Sequence, residues 1–300
     1  MDDAILVALV CPLFWALSNI LDKLAVDHAI KTPEQFMFLL SQFYSLVFLG
    51  YLIGTSGSFA LSPLAVLAGV LLFVLYYLYA IVLAEEDVSS VIAVHQAEPL
   101  FVMILAAALY QRLPTGPELI GFALILGGIF WFTSARSGSG PVLPLIGRRS
   151  AGLLTLSALA GAFATLISDV ALMELSVLDI AGQSALGYGL AGLITLGHRR
   201  YRRAAFDPGR IGMFRKAGLI AATGLLDLAG YLAFYLALSL SDKPALVSVL
   251  SSIHPIYVFV ISAVLTTAFP TIMREDNSGN RLRGKAIGCV VVVMGILLLA

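Results

Sequence analysis

Long apolar runs are the feature that most restricts how this chain can fold. A helix needs about 20 residues to cross the hydrocarbon core of a bilayer. Ten apolar runs approach that length, at residues 4–24, 35–54, 63–84, 88–110, 117–135, 151–174, 177–197, 216–238, 245–267 and 284–300. Because 60% of the residues are hydrophobic and only 12% are charged, they cannot supply the surface of a soluble protein. The sequence therefore predicts an all-α integral membrane protein with ten transmembrane helices.

A linker rich in Gly, Ser, Pro and Arg divides the ten predicted spans into two sets of five. It covers residues 138–150, so we predict an N-terminal repeat at 1–137 and a C-terminal repeat at 151–300. Since each repeat has an odd number of spans, the second copy must enter the membrane from the opposite side. This arrangement is the inverted-repeat plan of secondary transporters.

One polar, proline-interrupted span occurs in both halves. The motif HQAEP at 95–99 aligns with SSIHP at 251–255, and the ungapped match extends over 79–114 and 235–270. The two copies share the proline but differ beside it, because one has glutamate where the other has histidine. This duplication is the main indication in the sequence that the two motifs form a functional site.

Side chains that ionise at membrane depth are costly and usually face a cavity or a partner. His95 and Glu98 lie three residues apart on one helix face. Pro99 and Pro255 each lack the N–H of a regular helix, which leaves a carbonyl free one turn earlier. We predict that Pro99 and Pro255 are hinges and that His95, Glu98 and His254 bind substrate. The alternative is a His–Glu pair that only staples helices together.

The eighth predicted span contains one carboxylate near its middle. Asp227 is followed by Tyr231 and Tyr235 at i+4 and i+8, so the three residues form a single stripe. We predict that Tyr231 binds substrate and that Asp227, like Glu98, is a candidate for proton coupling. The alternative for Asp227 is a structural pairing with a neighbouring helix.

The first predicted span offers a second polar face. Trp15, Ser18, Asn19 and Asp22 recur at helical spacing, and Trp15 and Asn19 are predicted to bind substrate by stacking and hydrogen bonding. Asp22 is placed close enough to the membrane surface to be an ordinary interfacial charge. Weaker candidates on other spans are Gln42, Tyr76, Tyr77, Tyr79, Ser168, Asp169, Glu174 and Gln183.

No cofactor, metal or catalytic site is predicted. Cys11 and Cys289 lie inside apolar runs without metal-ligand neighbours, so they are predicted to be packing residues and not a disulfide. The expected partners are a small-molecule substrate and membrane lipids, with protons as an optional third and no nucleic acid. The chain is expected to be a monomer or a homodimer.

The distribution of basic residues predicts the orientation. The segment 198–216 and the central linker are basic, whereas only Arg112 and Lys243 fall in loops on the opposite side. The positive-inside rule then places the basic loops in the cytoplasm and both termini outside, in the inner (plasma) membrane.

The repeated pattern resembles the EamA-type repeat of the drug/metabolite transporter superfamily. That repeat has a proline within its fourth helix and spaced glycines in its fifth, which are matched here by Pro99, Gly121 and Gly128 and by Pro255, Gly288 and Gly295. The WALSNILDK segment at 15–23 is also similar to some members. Where many members carry an acidic residue after the fourth helix, this chain has Gln111-Arg112, and outside termini also differ from many relatives. The resemblance implies ten helices around a central cavity.

The sequence favours a secondary transporter that moves a small organic metabolite by alternating access, with or without proton coupling. The cavity is expected to lie among spans 1, 3, 4, 6, 8 and 9. Its acids and imidazoles give a weak preference for zwitterionic or cationic solutes such as amino acids or amines. A flippase for an amphipathic or lipid-linked substrate is the first alternative. An intramembrane enzyme is the second, although the chain has no HExxH or GxSxG motif.

Overall fold

A computed structural model provides the structure of the chain, and in the residues it describes all regular secondary structure is helical. The described residues are 3–28, 30, 32–57, 59–83, 85, 91, 95, 97–111, 113–134, 147–206, 213–268 and 279–299. Most of the predicted linker at 138–150 and much of the charged insertion at 273–285 fall outside them.

Twelve helices have both ends within the described part of the chain, and Val91 and His95 are also helical. The twelve are α1 Asp3–His28, α2 Pro33–Gly54, α3 Pro63–Leu83, α4 Glu98–Tyr110, α5 Gly116–Ser134, α6 Arg148–Ala171, α7 Val177–Thr195, α8 Arg199–Ala205, α9 Met213–Ser239, α10 Pro244–Ser251, α11 His254–Ala268 and α12 Gly279–Leu299. Nine predicted spans coincide with a helix or with a helix pair, and the fourth, at 88–110, matches α4 over its second half, because most of residues 88–97 lie outside the described part of the chain. The short basic helix α8 was not predicted, because its run of arginines has no apolar periodicity.

Seven stretches are long and apolar enough to cross a bilayer in the described part of the chain. They lie at Asp3–Asp22, Pro33–Gly54, Pro63–Val82, Arg148–Ala171, Val177–Thr195, Arg215–Ser239 and Pro244–Ile261. Two shorter apolar helices lie at Glu98–Tyr110 and Gly116–Phe132. The chain is a multi-pass membrane protein, and the count of ten crossings stays a prediction.

The ninth predicted span is broken near its middle. Helix α10 ends at Ser251 and α11 begins at His254, with Ser252 as the C-cap of the first piece. Pro255 sits in the first turn of α11, where a missing N–H costs nothing because that turn has no acceptor within the helix. In the first half, α4 likewise begins at Glu98 with Pro99 in its first turn. Both polar motifs therefore lie at helix N-termini.

The contacts between helices fit the proposed repeat. When each helix is replaced by its counterpart in the other half, most packed pairs become pairs that also pack together. Helix α1 packs along α9 as α6 packs along α3, and α1 meets α10 and α11 as α6 meets α4. Helices α2 and α7 pack on each other, as do α5 and α12. One pair departs from this correspondence, because α3 and α7 pack along much of their length whereas α2 and α9 meet over fewer residues.

Glycines allow the backbones of α5 and α12 to touch. A Cβ on Gly128 would lie 3.0 Å from the carbonyl oxygen of Gly288, and one on Gly295 would lie 2.9 Å from that of Gly121. These four glycines therefore let the two helices approach closely. Gly127 has no such role, since no described atom outside its own helix lies within 4 Å of its Cβ position.

The outer surface of the bundle is apolar. Large side chains such as Leu46, Ile53, Ile104, Val290 and Leu297 are each at least 60% exposed, which is what lipid contact requires. Both cysteines are free, as predicted.

Lys285 at the start of α12 does not reach outward to the membrane surface as its position near a helix end predicts. It is buried, and its Nζ lies 3.7 Å from the centroid of the Phe259 ring and 5.5 Å from that of Phe132. The aromatic faces of these two rings stabilise the ammonium group inside the bundle.

Polar contacts tie together the loops and helix ends at one end of the bundle, which we name the closed end. Tyr51 donates a hydrogen bond of 2.6 Å to Asp179, which joins α2 to α7. The Gln183 side chain accepts from the backbone N–H of Ser62 at 2.6 Å and donates to a carbonyl in the same loop. An ion pair of 2.7 Å joins Lys243, before α10, to Glu118 in α5. Tyr110 of α4 donates to Asp169 of α6.

Candidate functional site

A cavity of about 150 Å³ lies in the middle of the bundle. It is formed by α1, α3, α4, α6, α9, α10 and α11, which correspond to the six predicted spans. Its lining comprises Trp15, Asn19, Leu72, Leu75, Tyr76, Tyr79, His95, Glu98, Pro99, Ala164, Thr165, Ser168, Tyr231, Phe234, Tyr235, Ser248, Ser251, Ser252 and His254. The structure brings together all six predicted substrate-binding residues and the first of the two predicted hinge prolines.

Glu98 presents its carboxylate to this cavity from the first turn of α4. The N-terminal end of a helix carries a partial positive charge, which stabilises an acidic side chain there. Gly161 of α6 provides the room that the side chain occupies. A Cβ on Gly161 would lie 2.6 Å from Cδ and 2.7 Å from Oε2 of Glu98. Close packing against α6 therefore sets the position of the carboxylate.

His95 lies on the same lining, and its ring packs edge-on against Tyr79 with the ring centroids 5.2 Å apart. Although both side chains are described, no hydrogen bond joins the His95 ring to the Glu98 carboxylate. The structure therefore does not show the His–Glu staple that was the alternative to a binding role.

Aromatic rings form one wall of the cavity. The Trp15 indole meets Tyr231 edge-on at 5.4 Å and Phe234 at 5.7 Å between centroids. Gly230 leaves the space for the indole, because a Cβ there would lie 2.5 Å from Trp15 Nε1. Rings with exposed π faces attract a cation that lies over them, most strongly once water is excluded.

Asn19 and His254 connect the two halves of the chain across the cavity. Asn19 Nδ2 lies 2.9 Å from Nε2 of His254. An amide nitrogen only donates, so this imidazole accepts at Nε2 and carries its proton on Nδ1. A second contact between the halves lies nearby, where Cys11 Sγ is 3.5 Å from Ser251 Oγ. The His254 ring is therefore held as a neutral group between α1 and α11.

Asp227 does not line the cavity and is not isolated. Its Oδ2 accepts a hydrogen bond of 2.7 Å from Tyr44, and its Oδ1 accepts one of 3.2 Å from Tyr76. The Tyr231 hydroxyl in turn donates to the Tyr76 hydroxyl at 3.3 Å. The carboxylate therefore lies behind a wall of phenols, paired with neighbouring helices and connected to the cavity only through them.

Asp22 is only partly exposed. Its Oδ1 is buried, and no hydrogen bond of regular geometry reaches it or the Thr223 hydroxyl beside it from the described residues. Contact with α9 therefore partly covers Asp22, and its place near the membrane surface stays a prediction.

The weaker candidates are dispersed. Tyr76, Tyr79 and Ser168 line the cavity, whereas Asp169 and Gln183 belong to the closed end. The remaining three lie elsewhere: Gln42 donates to the neighbouring Ser41 hydroxyl, Tyr77 stacks on Phe73, and Glu174 is exposed.

Comparison with known proteins finds a family whose model matches part of the chain. The model of the EamA-like transporter family matches residues 3–134, which begin at α1 and end at the last residue of α5. Over these residues the chain is similar to the EamA-like transporter family. The family is part of the drug/metabolite transporter superfamily, so the resemblance seen in the sequence is confirmed. No curated protein gives a significant match.

The likeness in fold to a solved structure extends beyond the residues that the family model matches. One solved structure, described only as the crystal structure of a protein, superposes over 99% of this chain and 96% of its own. The TM-score is 0.71 and the sequence identity is 17%. At that identity the likeness shows the fold alone.

The EamA-like half contributes Trp15, Asn19, His95 and Glu98 to the cavity, and the second half contributes Tyr231 and His254. Among the described lining residues there is one carboxylate and no lysine or arginine. The cavity is therefore suited to a cationic group more than to an anion, because nothing on its described walls offers a full positive charge.

Sequence reasoning missed two residues that shape this site. Tyr44 donates to Asp227 from a position 183 residues away, and no local pattern links the two. Gly161 is one of 27 glycines, and only the packing of α6 against α4 distinguishes it.

Proposed function

We propose that this EamA-like protein is a secondary transporter for a small organic metabolite that carries a protonated amine, either cationic or zwitterionic. The observation that carries the proposal is the central cavity, whose only described charged lining residue is Glu98 and which has one aromatic wall. A carboxylate satisfies an ammonium group by charge-assisted hydrogen bonds, and the rings add a cation–π contribution.

Alternating access is the mechanism that we propose. The two halves, related as inverted repeats, would rock about the cavity so that it opens to one side of the inner membrane at a time. Polar contacts at the closed end support this mechanism, because contacts of that kind break without exposing apolar surface. The broken span at α10 and α11 and the helix start at Glu98 supply flexible points beside the site, and Pro99 and Pro255 would be the hinges.

Uptake into proteoliposomes tests this function. With purified protein and a panel of radiolabelled cationic amines, amino acids, neutral polyols and carboxylic acids, we expect saturable uptake of at least one amine-bearing solute and none of the acids. Uptake of acids alone would contradict the proposal. If a fluorescent phospholipid changed leaflets while no solute entered, the protein would be a flippase instead.

The proposed orientation has the closed end and both termini outside, with α8 in the cytoplasm. Its test starts from a variant in which Cys11 and Cys289 are replaced by alanine, into which Arg202→Cys or Leu113→Cys is introduced. Both positions are exposed. A membrane-impermeant maleimide added to intact cells is expected to label the cysteine at 113 and to spare that at 202. The reverse pattern would show that the orientation is inverted.

A further inference from the structure

Asp227 is the most enclosed acidic side chain near the cavity, and its surroundings assign it a task separate from substrate binding. It is 4% exposed at the middle of α9. Two hydroxyls occupy its carboxylate oxygens, and Tyr76 and Tyr231 stand between it and the cavity that they line. A solute in the cavity therefore cannot touch Asp227, whereas a proton can reach it through the hydroxyls.

The hydrogen bonds already point along such a route. Tyr231 donates to Tyr76, and Tyr76 donates to Oδ1 of Asp227. If Asp227 takes the Tyr76 proton, Tyr76 takes that of Tyr231, and Tyr231 takes one from water in the cavity. Each phenol ends as it began, and one proton has moved from the cavity to the carboxylate.

A second, much smaller cavity borders the first at Tyr231 and Tyr235. Its volume of about 10 Å³ is close to the space that one water molecule requires. Tyr44, Tyr188 and Tyr231 line it, and the buried Tyr188 hydroxyl has no hydrogen-bond partner among the described residues. A polar pocket with an unsatisfied hydroxyl is a site where water is stable.

The other side of Asp227 leads toward Asp22. Thr223 lies one turn before Asp227 on α9, beside the Asp22 carboxylate, and the two acids are close enough to interact electrostatically. The Thr223 hydroxyl approaches the Asp22 carboxylate, but no hydrogen bond of regular geometry reaches Asp22 Oδ1 or this hydroxyl from the described residues, although both atoms are buried. Buried polar atoms of this kind normally have one. A proton shared in this region would satisfy them.

We propose that Asp227 and Asp22 form a proton-transfer site that reaches the substrate cavity only through the hydroxyls of Tyr76 and Tyr231. The proposal rests on the transport function proposed above and assigns its driving ion. Glu98 then holds the substrate, and Asp227 holds the coupled proton. Loading and release of that proton bias which end of the protein is closed.

The groups around Asp227 favour a proton over a metal cation. The groups that interact with it electrostatically are Asp22 of α1, Tyr44 of α2, Tyr76 of α3, Tyr188 of α7, and Tyr231 and Tyr235 of α9. A sodium ion needs several oxygen lone pairs directed at one point. Here two O–H groups donate to the carboxylate and occupy the positions that an ion would need.

Two transport assays on the same proteoliposomes test the proposal. The first measures counterflow of the amine at equal pH, which needs no net proton movement. The second measures accumulation driven by a pH gradient, with a sodium gradient at constant pH as a parallel arm. The variants are Asp227→Asn, Asp22→Asn and Tyr76→Phe, with Glu174→Gln as a control at an exposed acid.

We expect wild type and Glu174→Gln to accumulate substrate in response to the pH gradient. In Asp227→Asn this accumulation should fall by about tenfold or more while counterflow continues. Accumulation by Asp22→Asn should fall in the same assay. Tyr76→Phe should accumulate substrate more slowly, because it keeps the Asp227 carboxylate but lacks the hydroxyl that passes the proton to it.

Three results would overturn the proposal: equal gradient-driven accumulation in Asp227→Asn, a wild-type response to sodium and not to protons, or parallel loss of counterflow in a monodisperse Asp227→Asn. If wild type showed no counterflow of any amine, the transport function itself would fail instead.

Discussion

Replacing Glu98 by glutamine is expected to weaken binding of the amine substrate by about 100-fold or more. At 4 Å and an effective dielectric constant of about 20, an ammonium–carboxylate attraction is worth about 4 kcal/mol, and the glutamine side chain forfeits most of it. Glutamine keeps the size of the side chain, so a neutral hydroxyl analogue of the substrate should bind wild type and Glu98→Gln within about threefold. Competition against labelled substrate in proteoliposomes measures both.

Glu85→Gln is the matched control for this substitution. Glu85 is exposed and pairs with Arg149 at 3.2 Å on the surface, where such pairs contribute less than about 1 kcal/mol. It should therefore transport as wild type does. An equal loss of amine and neutral analogue in Glu98→Gln would contradict an ionic role, since it would indicate damage to the cavity.

Gly161→Ala provides a test that leaves the charge of Glu98 intact. The added methyl would lie 2.7 Å from Oε2, so the carboxylate must move. A shift of about 1 Å at a binding group is enough to cost up to about 100-fold in rate. Gly152→Ala on the same helix meets no atom within 4 Å and should be silent. Normal transport by Gly161→Ala would show that the position of Glu98 does not matter.

Gly187→Ala is expected to stop transport by preventing one end from closing. A Cβ on Gly187 would lie 1.9 Å from the Val66 carbonyl oxygen, and one on Gly69 would lie 1.8 Å from that of Ser184. Both contacts are with backbone, which cannot rotate away as a side chain can. Helices α3 and α7 must therefore separate, at a cost of roughly 1–3 kcal/mol to the closed arrangement. That cost shifts the equilibrium by roughly 5- to 150-fold toward the state open at this end.

Labelling of a cysteine at Thr165 reads out this shift. Thr165 lines the cavity and is buried in the closed arrangement, so Thr165→Cys in the cysteine-free variant should be protected from a reagent applied at the closed end. Adding Gly187→Ala should expose it, whereas Gly50→Ala, which meets nothing within 4 Å, should not. Monodispersity and melting temperature identify a variant that merely fails to fold. Protection that persists in a folded, inactive Gly187→Ala would contradict the closed-end account.

The lengths of the apolar runs predicted the helices, because the bilayer imposes a length and a composition on each crossing. The break before Pro255 was also predictable, since a proline without an N–H acts through local geometry alone. Repetition of the motif then placed Glu98 and His254 at corresponding points, and in the structure both line one cavity.

Contacts between distant spans could not be predicted from the sequence. Nothing near Asp227 indicates that Tyr44 would donate to it, or that Asp22 would be partly covered by α9. The burial of Lys285 beneath Phe259 depends in the same way on which faces of α11 and α12 meet. Local pattern therefore gave the elements and the polar positions, and packing decided which of those positions form the cavity and which form the network behind it.

Fluorescence of Trp15 gives the most direct test of the claim that the cavity binds an amine beside Glu98. The chain has two tryptophans, and Trp131 lies 41% exposed on α5, away from the cavity lining. In Trp131→Phe the emission therefore reports on Trp15 alone. The account predicts a saturable change when a transported amine is titrated, with the midpoint moved about 100-fold higher or lost when Glu98→Gln is added. An unchanged Trp15 emission during transport, or the same midpoint with and without Glu98, would contradict it.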